Sequence, residues 1–403
     1  MLIADSLVPQ AALSLREAGH EVVEDPGLKE DALTAALSQH RPDALVVRST
    51  RVTAAHLEAS GSLSLVVRAG AGVNTIDLQA AGQRGVFVAN CPGCNAVAVA
   101  ELVMGMLVAL DRQLPENVIA ARAGQWRKGA FGKAQGLMTR RLGLVGMGSI
   151  GREVASRALA FGMEVVACSR SLTPEGARKL GITHAKDALD VARQCSILSV
   201  HTALAPQTRA LVGPELLAAM PDGSWILNTS RAEMVDEAAL RDALDHRGFR
   251  AALDVFSGEP AGKHGELSHP LASHPSVLLT HHIGASTQQA QEAVAAEAVR
   301  VLLAFDATGR APNTVNLQRR TRATHGLVVR HRDRVGVLAS VLDALRQAQI
   351  NVQEMENTIF EGGGAALARV QVHVCPSAAV LDRLSALPDV LHVTCVPIPG
   401  ASS

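Results

Sequence analysis

The sequence predicts an α/β protein: two doubly wound parallel-sheet domains, followed by a smaller ferredoxin-like βαββαβ unit. Three observations carry this. Short apolar runs alternate with amphipathic helical stretches from residue 1 to about residue 90. The same alternation restarts at Arg141, and its first strand breaks into a glycine-rich turn. The final segment repeats neither pattern and reads strand, helix, strand, strand, helix, strand.

In the first region the expected strands lie near Leu2–Ala4, Glu21–Val23, Ala44–Arg48, Leu65–Arg68 and Val86–Ala89. A helical stretch from Ala96 to Arg112 follows. It is apolar nearly all round in its middle, so it is expected to be buried between domains. The second region gives strands at Leu142–Val145, Glu164–Ala167, Ile197–Val200, Trp225–Asn228, Ala251–Asp254 and Val277–Thr280. A helix from about Ser286 to Phe305 then carries the chain back toward the first domain. The polar stretch that follows, with Gly309, Pro312 and Asn313, reads as a linker. In the last unit the strands are Gly326–Arg330, Val352–Glu361, Ala365–Val374 and one near Leu391–Pro397, with helices Val335–Gln349 and Ser377–Leu387. The expected domains are therefore 1–92 with 283–314, 93–282, a linker 315–323, and 324–400.

A chain of 403 residues with 48% hydrophobic residues can fill several cores. Tyrosine is absent, so those cores rest on Leu, Val, Ile and Ala. Lysine plus arginine equals aspartate plus glutamate at 38 each, which favours neither nucleic acid nor anionic membrane as a partner. No apolar run reaches bilayer-spanning length. Met1–Asp5 reads as a strand and not as a signal peptide, which makes the cytoplasm the expected location. Cys91-Pro92-Gly93-Cys94 has redox-motif spacing and offers at most half a zinc site, so reduced thiols and no metal are expected.

The segment Leu142-Gly143-Leu144-Val145-Gly146-Met147-Gly148-Ser149-Ile150-Gly151 is a strand that runs through G-x-G-x-x-G into a helix. Gly146 allows the sharp turn, Gly148 lets backbone approach a pyrophosphate, and Gly151 lets the helix pack on the strand. The new helix presents its first N–H groups, among them those of Ser149 and Ile150, with the positive end of its dipole behind them. A lone G-x-G-x-x-G is weak; the strand before it and the helix after it make a dinucleotide site.

Five segments together resemble the D-isomer-specific 2-hydroxyacid dehydrogenases, in the shorter form with a C-terminal ACT domain. They are Arg68–Asn74, the glycine fingerprint, Asn228–Arg231, Ala252–Pro260 and His282–Thr287. The resemblance implies a substrate domain, a Rossmann dinucleotide domain and a regulatory ACT domain. It implies oxidation of D-3-phosphoglycerate to 3-phosphohydroxypyruvate, the first step of L-serine biosynthesis. A glyoxylate or hydroxypyruvate reductase is the alternative, and a dinucleotide-sensing transcriptional corepressor a more remote one.

By resemblance Arg231 holds the substrate carboxylate, and Glu259 with His282 forms the acid–histidine pair. The chemistry suits these types. A histidine takes and returns a proton near neutral pH, a carboxylate fixes its tautomer, and an arginine fork grips a carboxylate in two places. Arg48 and Ser49 match a phosphate-binding pair, Ala71 and Gly72 offer N–H groups to the carboxylate, and Asn95 is a further substrate-side contact. Arg51 stands in a loop one residue shorter than is common, and His281 replaces the usual proline. Asp254 matches a residue near the nicotinamide amide, and His201 and Thr229 complete the cofactor side.

NAD is the cofactor implied. The position that usually carries an acid after the second nucleotide strand is Ser169, followed by Arg170, which leaves room for the 2′-phosphate of NADP. In the ACT segment His331, Asp333 and Asn351 match ligand-side positions, with serine as the implied effector. Asp333 replaces the usual asparagine there, and Val335 the usual proline. A homodimer or homotetramer is implied, joined through the nucleotide domains with the long central helix at the contact.

Overall fold

A computed structural model describes residues 1–260, 265–318 and 321–398. The chain divides into two units, Met1–Asn316 and the remainder from Leu317. The first unit opens with β1 (Leu2–Ile3), β2 (Val23–Glu24), β3 (Ala44–Val47), β4 (Leu65–Arg68) and β5 (Phe87–Asn90). They form one parallel sheet in the order β2-β1-β3-β4-β5. Both faces are covered, which is why β3, and β4 up to Arg68 at its end, read as apolar runs. Leu45, Val47 and Val66 pack on one side with Leu33 and Leu37. Val46, Leu65 and Val67 pack on the other with Leu15 and with Ala295, Val299 and Leu302 of the returning helix Gln288–Thr308.

The second sheet holds β6 (Arg141–Val145), β7 (Glu164–Cys168), β8 (Thr183–His184), β9 (Ile197–Val200), β10 (Trp225–Asn228), β11 (Arg250–Leu253) and β12 (Val277–Leu279). All are parallel, in the order β12-β11-β10-β9-β6-β7-β8. The order reverses between β6 and β9, and α/β sheets place ligands at the carboxyl end of such a switch point. The edge strand β8 is an addition to the sequence reading; two residues are too short to show a period.

The long helix Ala96–Arg112 forms where expected, but it is not buried all round. Ala100, Val103, Leu107 and Leu110 enter the core beside β6 and β10. Val97, Glu101, Gly105 and Arg112 are exposed along one stripe. Two short helices, Leu114–Arg122 and Lys128–Phe131, follow it and leave Trp126 90% exposed.

The expected linker begins too early. Val315 donates from its N–H to the carbonyl of Val88 at 2.8 Å, and Asn316 accepts from the Val88 N–H and donates to the Val86 carbonyl. Residues 314–316 thus add a short antiparallel edge to β5. Their polar composition hid a backbone ladder. Residues 319–320 of the expected linker, and 399–400 of the expected last domain, lie outside the described residues.

The second unit contains β13 (His325–Arg332), β14 (Val352–Ile359), β15 (Ala365–Val372) and β16 (Val390–Pro397), an antiparallel sheet in the order β14-β15-β13-β16. Helices Val337–Gln347 and Ala378–Ser385 cover one face. Leu327, Val329, Val341, Leu345, Val370 and Leu384 form that core. This is the expected βαββαβ arrangement. Among the described residues no helix is long and apolar enough to cross a membrane.

Candidate active site

The glycine turn after β6 is built as its spacing requires. Gly146 has φ +108°, and a Cβ there would collide with the carbonyl of His201. A Cβ on Gly151 would collide with the carbonyl of Gly146, so the helix Ser149–Ala160 packs directly on the turn. A Cβ on Gly148 meets nothing within 4 Å, leaving open space over the helix N-terminus. Among the described residues two buried polar atoms just past the ends of β9 and β10 lack a protein partner: Oγ1 of Thr229 and Nδ1 of His201. Both fit a polar ligand lying along the carboxyl edge of the sheet. Burial pushes the His201 imidazole down to about 4, so the ring is neutral at physiological pH; its Nε2 is 2.9 Å from the Ser199 hydroxyl. Ser169 follows β7 half-buried, and Arg170 is exposed with no ion pair among the described residues.

His282 and Glu259 meet. The His282 Nδ1 lies 2.8 Å from Glu259 Oε2, and the other carboxylate oxygen accepts the Phe256 N–H at 3.0 Å. The hydrogen bond that His282 donates to Glu259 raises the His282 pKa, against a smaller opposing effect of burial. Burial alone would raise the pKa of Glu259; the His282 and Phe256 hydrogen bonds outweigh it and hold the carboxylate below its ordinary range. His282 sits in the left-handed region at φ +53°. Asp254 holds the chain there: it is 1% exposed and accepts from the Thr280 hydroxyl, the Ile283 N–H and the Gly284 N–H. Asp254, expected near a nicotinamide amide, thus also braces the histidine's own turn through these three donors.

Arg231 is set by an Asx turn. Asn228 accepts from the Ser230 N–H and donates to the Arg231 carbonyl, while the Ser230 hydroxyl ties the loop to Val200. The Arg231 guanidinium then reaches the Gly70–Asn74 loop of the first sheet. A Cβ on Gly72 would collide with its Nη2, so Gly72 is the opening through which the two sheets' loops meet. Asn90 donates to the Ala71 carbonyl and steadies that loop.

Two adjoining cavities share Ser49, Arg68 and His282. One, of about 300 Å³, is also lined by Arg48, Gly70, Asn95, Ser286 and Gln291. The other, of about 740 Å³, is lined by Asn74, Arg231, Glu233, Glu237, Ser257 and Glu259. Expected residues of both sheets are therefore gathered at one cleft. Arg68 is a residue that sequence reasoning quoted without assigning a role. It ends β4, an otherwise apolar buried strand, and a charge in that place was the available signal. Its Nε is buried with no protein partner among the described residues, and burial followed by the charges of Arg231 and Arg48 pushes its pKa down. Three guanidinium groups thus converge, an arrangement that calls for anionic ligand groups. The Ser49 hydroxyl, by contrast, already donates to Asp5 at 3.0 Å. Arg51 and His281 are exposed.

Cys91 is buried, with its N–H on the Gly70 carbonyl, and burial pushes its thiol up to about 12. Cys94 is also raised by burial. Both are protonated thiols near neutral pH. In the second unit His331 is 1% exposed, with Nδ1 on the Arg332 carbonyl at 2.8 Å and Nε2 on Asn357 at 3.1 Å. Both ring nitrogens are engaged, whereas Asp333 and Asn351 are exposed.

The two parallel sheets of the first unit and their shared cleft define the class of dinucleotide-binding proteins. Residues 104–284 match the NAD-binding domain of D-isomer specific 2-hydroxyacid dehydrogenases. The chain is 38% identical over 299 residues to a hydroxypyruvate reductase of Thermotoga maritima, covering 74% of this chain and 95% of that one. It is 35% identical over 322 residues to a D-3-phosphoglycerate dehydrogenase of Methanocaldococcus jannaschii, covering 79% of this chain; it spans only 59% of that relative's length. A solved NADPH-dependent glyoxylate/hydroxypyruvate reductase of Sinorhizobium meliloti, in complex with NADP and malonate, superposes with TM-score 0.67 at 28% identity. That match covers 79% of this chain and 98% of that one. The chain belongs to the D-isomer specific 2-hydroxyacid dehydrogenase family.

Proposed function

We propose that this chain oxidises D-3-phosphoglycerate to 3-phosphohydroxypyruvate with a nicotinamide dinucleotide. The observation that carries the substrate is the convergence of Arg48, Arg68 and Arg231 beside His282. A lone carboxylate answers one arginine; a carboxylate and a phosphate together answer three. In this reading Arg231 forks the carboxylate, assisted by the N–H groups of Ala71 and Gly72. Arg48 and Arg68 face the phosphate, and Asn95 orients the middle of the molecule. The His282 Nε2 removes the hydroxyl proton, and Glu259 stabilises the imidazolium that forms. The bound nicotinamide supplies the hydride acceptor. Gly146–Gly151, Thr229 and His201 hold the dinucleotide, and NAD is the cofactor expected first. Arg170 admits the 2′-phosphate of NADP, since no carboxylate at position 169 repels it.

The reductase reading is favoured by Ser169 followed by Arg170, and by the likeness to a hydroxypyruvate reductase along 95% of that relative's length. Initial rates with 3-phosphoglycerate, 3-phosphohydroxypyruvate, hydroxypyruvate and glyoxylate, each against both cofactors, decide between them. Strong turnover of the phosphorylated pair is the expected result. Turnover confined to the small unphosphorylated acids would leave the three arginines without their ligand and replace this reading.

The pH dependence follows from the raised His282. Oxidation needs the neutral imidazole, so its rate climbs with pH through an inflection above the ordinary 6.5. Reduction needs the imidazolium and declines through the same inflection. In Glu259→Gln the inflection moves down in both directions. Profiles of kcat/KM with unmoved inflections would separate Glu259 from the proton transfer.

The exposed stripe on Ala96–Arg112 continues into exposed Leu114, Val118, Ile119 and Trp126. We propose a second copy of this chain as the partner that covers it, giving a homodimer or homotetramer. In the second unit serine is the proposed effector at Asp333 and Asn351, where exposed polar groups remain.

A further inference from the structure

The loop that follows β3 is held by a residue far away in sequence. Asp5 lies just beyond β1, and the two parallel strands end side by side. Its Oδ2 accepts from the Arg48 N–H at 2.7 Å, the Ser49 N–H at 3.0 Å and the Thr50 N–H at 2.9 Å. Its Oδ1 accepts from the Ser49 hydroxyl at 3.0 Å. Three successive backbone donors converging on one point form an anion-binding nest, and here a carboxylate of the same chain fills it. Burial would favour the protonated acid, but the four donors outweigh it and keep Asp5 ionised. Thr50 behind them is buried and donates to the Leu28 carbonyl, so the loop is fixed from two sides.

This arrangement changes how the loop can meet a substrate. A nest of this kind is where a phosphate would otherwise bind through backbone N–H groups. With Asp5 in place that binding mode is closed, and the Ser49 hydroxyl is occupied as well. The side chain of Arg48 remains as the loop's cationic contact with the cleft, beside Arg68 and Asn95. We propose that Asp5 is a positioning residue for substrate binding: its carboxylate fills the 48–50 nest, directs Arg48 into the cleft and keeps the substrate's anionic groups on guanidinium side chains. This rests on the reading of the cleft given above.

The test is Asp5→Ala with small carboxylates added back. Losing charged hydrogen bonds to three amides should raise KM for the acid that the unaltered protein oxidises roughly ten- to hundred-fold, with kcat nearly unchanged. Formate or acetate should refill the nest and restore KM saturably, while leaving the unaltered protein unaffected. Amide hydrogen exchange gives a second readout: Arg48–Thr50 should exchange faster in Asp5→Ala, and formate should slow them again. Should Asp5→Ala fail to fold, Asp5→Asn keeps the shape and one acceptor oxygen, and an intermediate KM is expected. An unshifted KM, or a loss of kcat and melting temperature together without carboxylate rescue, overturns the inference. An unaltered protein that turns over no 2-hydroxy acid overturns the reading of the cleft instead, and the exchange experiment still decides whether Asp5 holds the nest.

Discussion

Replacing His282 abolishes most of the turnover while leaving the fold and the dinucleotide affinity in place. General acid–base catalysis by a placed side chain contributes about 10²- to 10⁴-fold, and a loss in that range is expected. The choice of variant matters because His282 has φ +53°. Alanine is strained there, whereas asparagine tolerates the left-handed region. His282→Asn should therefore keep the melting temperature close to that of the unaltered protein. Asparagine cannot take a proton in this pH range, so kcat should collapse all the same. Its side chain is 55% exposed toward the cleft, so little packing is lost. Dinucleotide titration should give nearly the same affinity, because among the described residues the imidazole's hydrogen bond goes to Glu259 and not to the glycine turn. Near-normal turnover in His282→Asn would remove it from the chemistry.

The second large effect separates two glycines three residues apart. Gly151→Ala drives a Cβ into the backbone carbonyl of Gly146, and neither atom can swing away as a side-chain tip would. The helix must lift from the turn, an overpacking cost of about 1–3 kcal/mol or more, and dinucleotide binding falls with it. Gly148→Ala has open space around its Cβ and should melt normally. That space is where backbone approaches a pyrophosphate, so affinity should still fall markedly. Thermal unfolding and dinucleotide titration on both variants check the pair. Full affinity in Gly148→Ala would deny the loop its phosphate-binding role.

Much of the fold is legible in the chain because both sheets are buried on both faces. β3, β4, β9 and β10 are then mostly apolar, with Arg68, Ser199 and Asn228 as the polar positions, and such runs stand out. The edge strand β8 does not, since two residues carry no period. Residues 314–316 were missed for another reason: their pairing with β5 uses backbone and an asparagine amide, and composition is blind to backbone. The stripe on the long helix was misjudged because Glu101, Gly105 and Arg112 are spaced thinly among apolar residues, and a helical pattern alone does not say which neighbour is present.

By itself the sequence determined the order of the elements and the glycine turn, which are set by local backbone demands that travel with the residue. Arg231, Glu259 and His282 entered as candidates through the family resemblance. The tertiary structure alone decided which charges meet. It brought Arg48, Arg68 and Arg231 to one cleft, set Asp5 into the nest of Arg48–Thr50, and turned Asp254 onto the histidine's turn. Asp5 lies 45 positions from Thr50, Asp254 lies 26 from Thr280, and Arg68 lies 163 from Arg231. Only the packing of parallel strands brings them together.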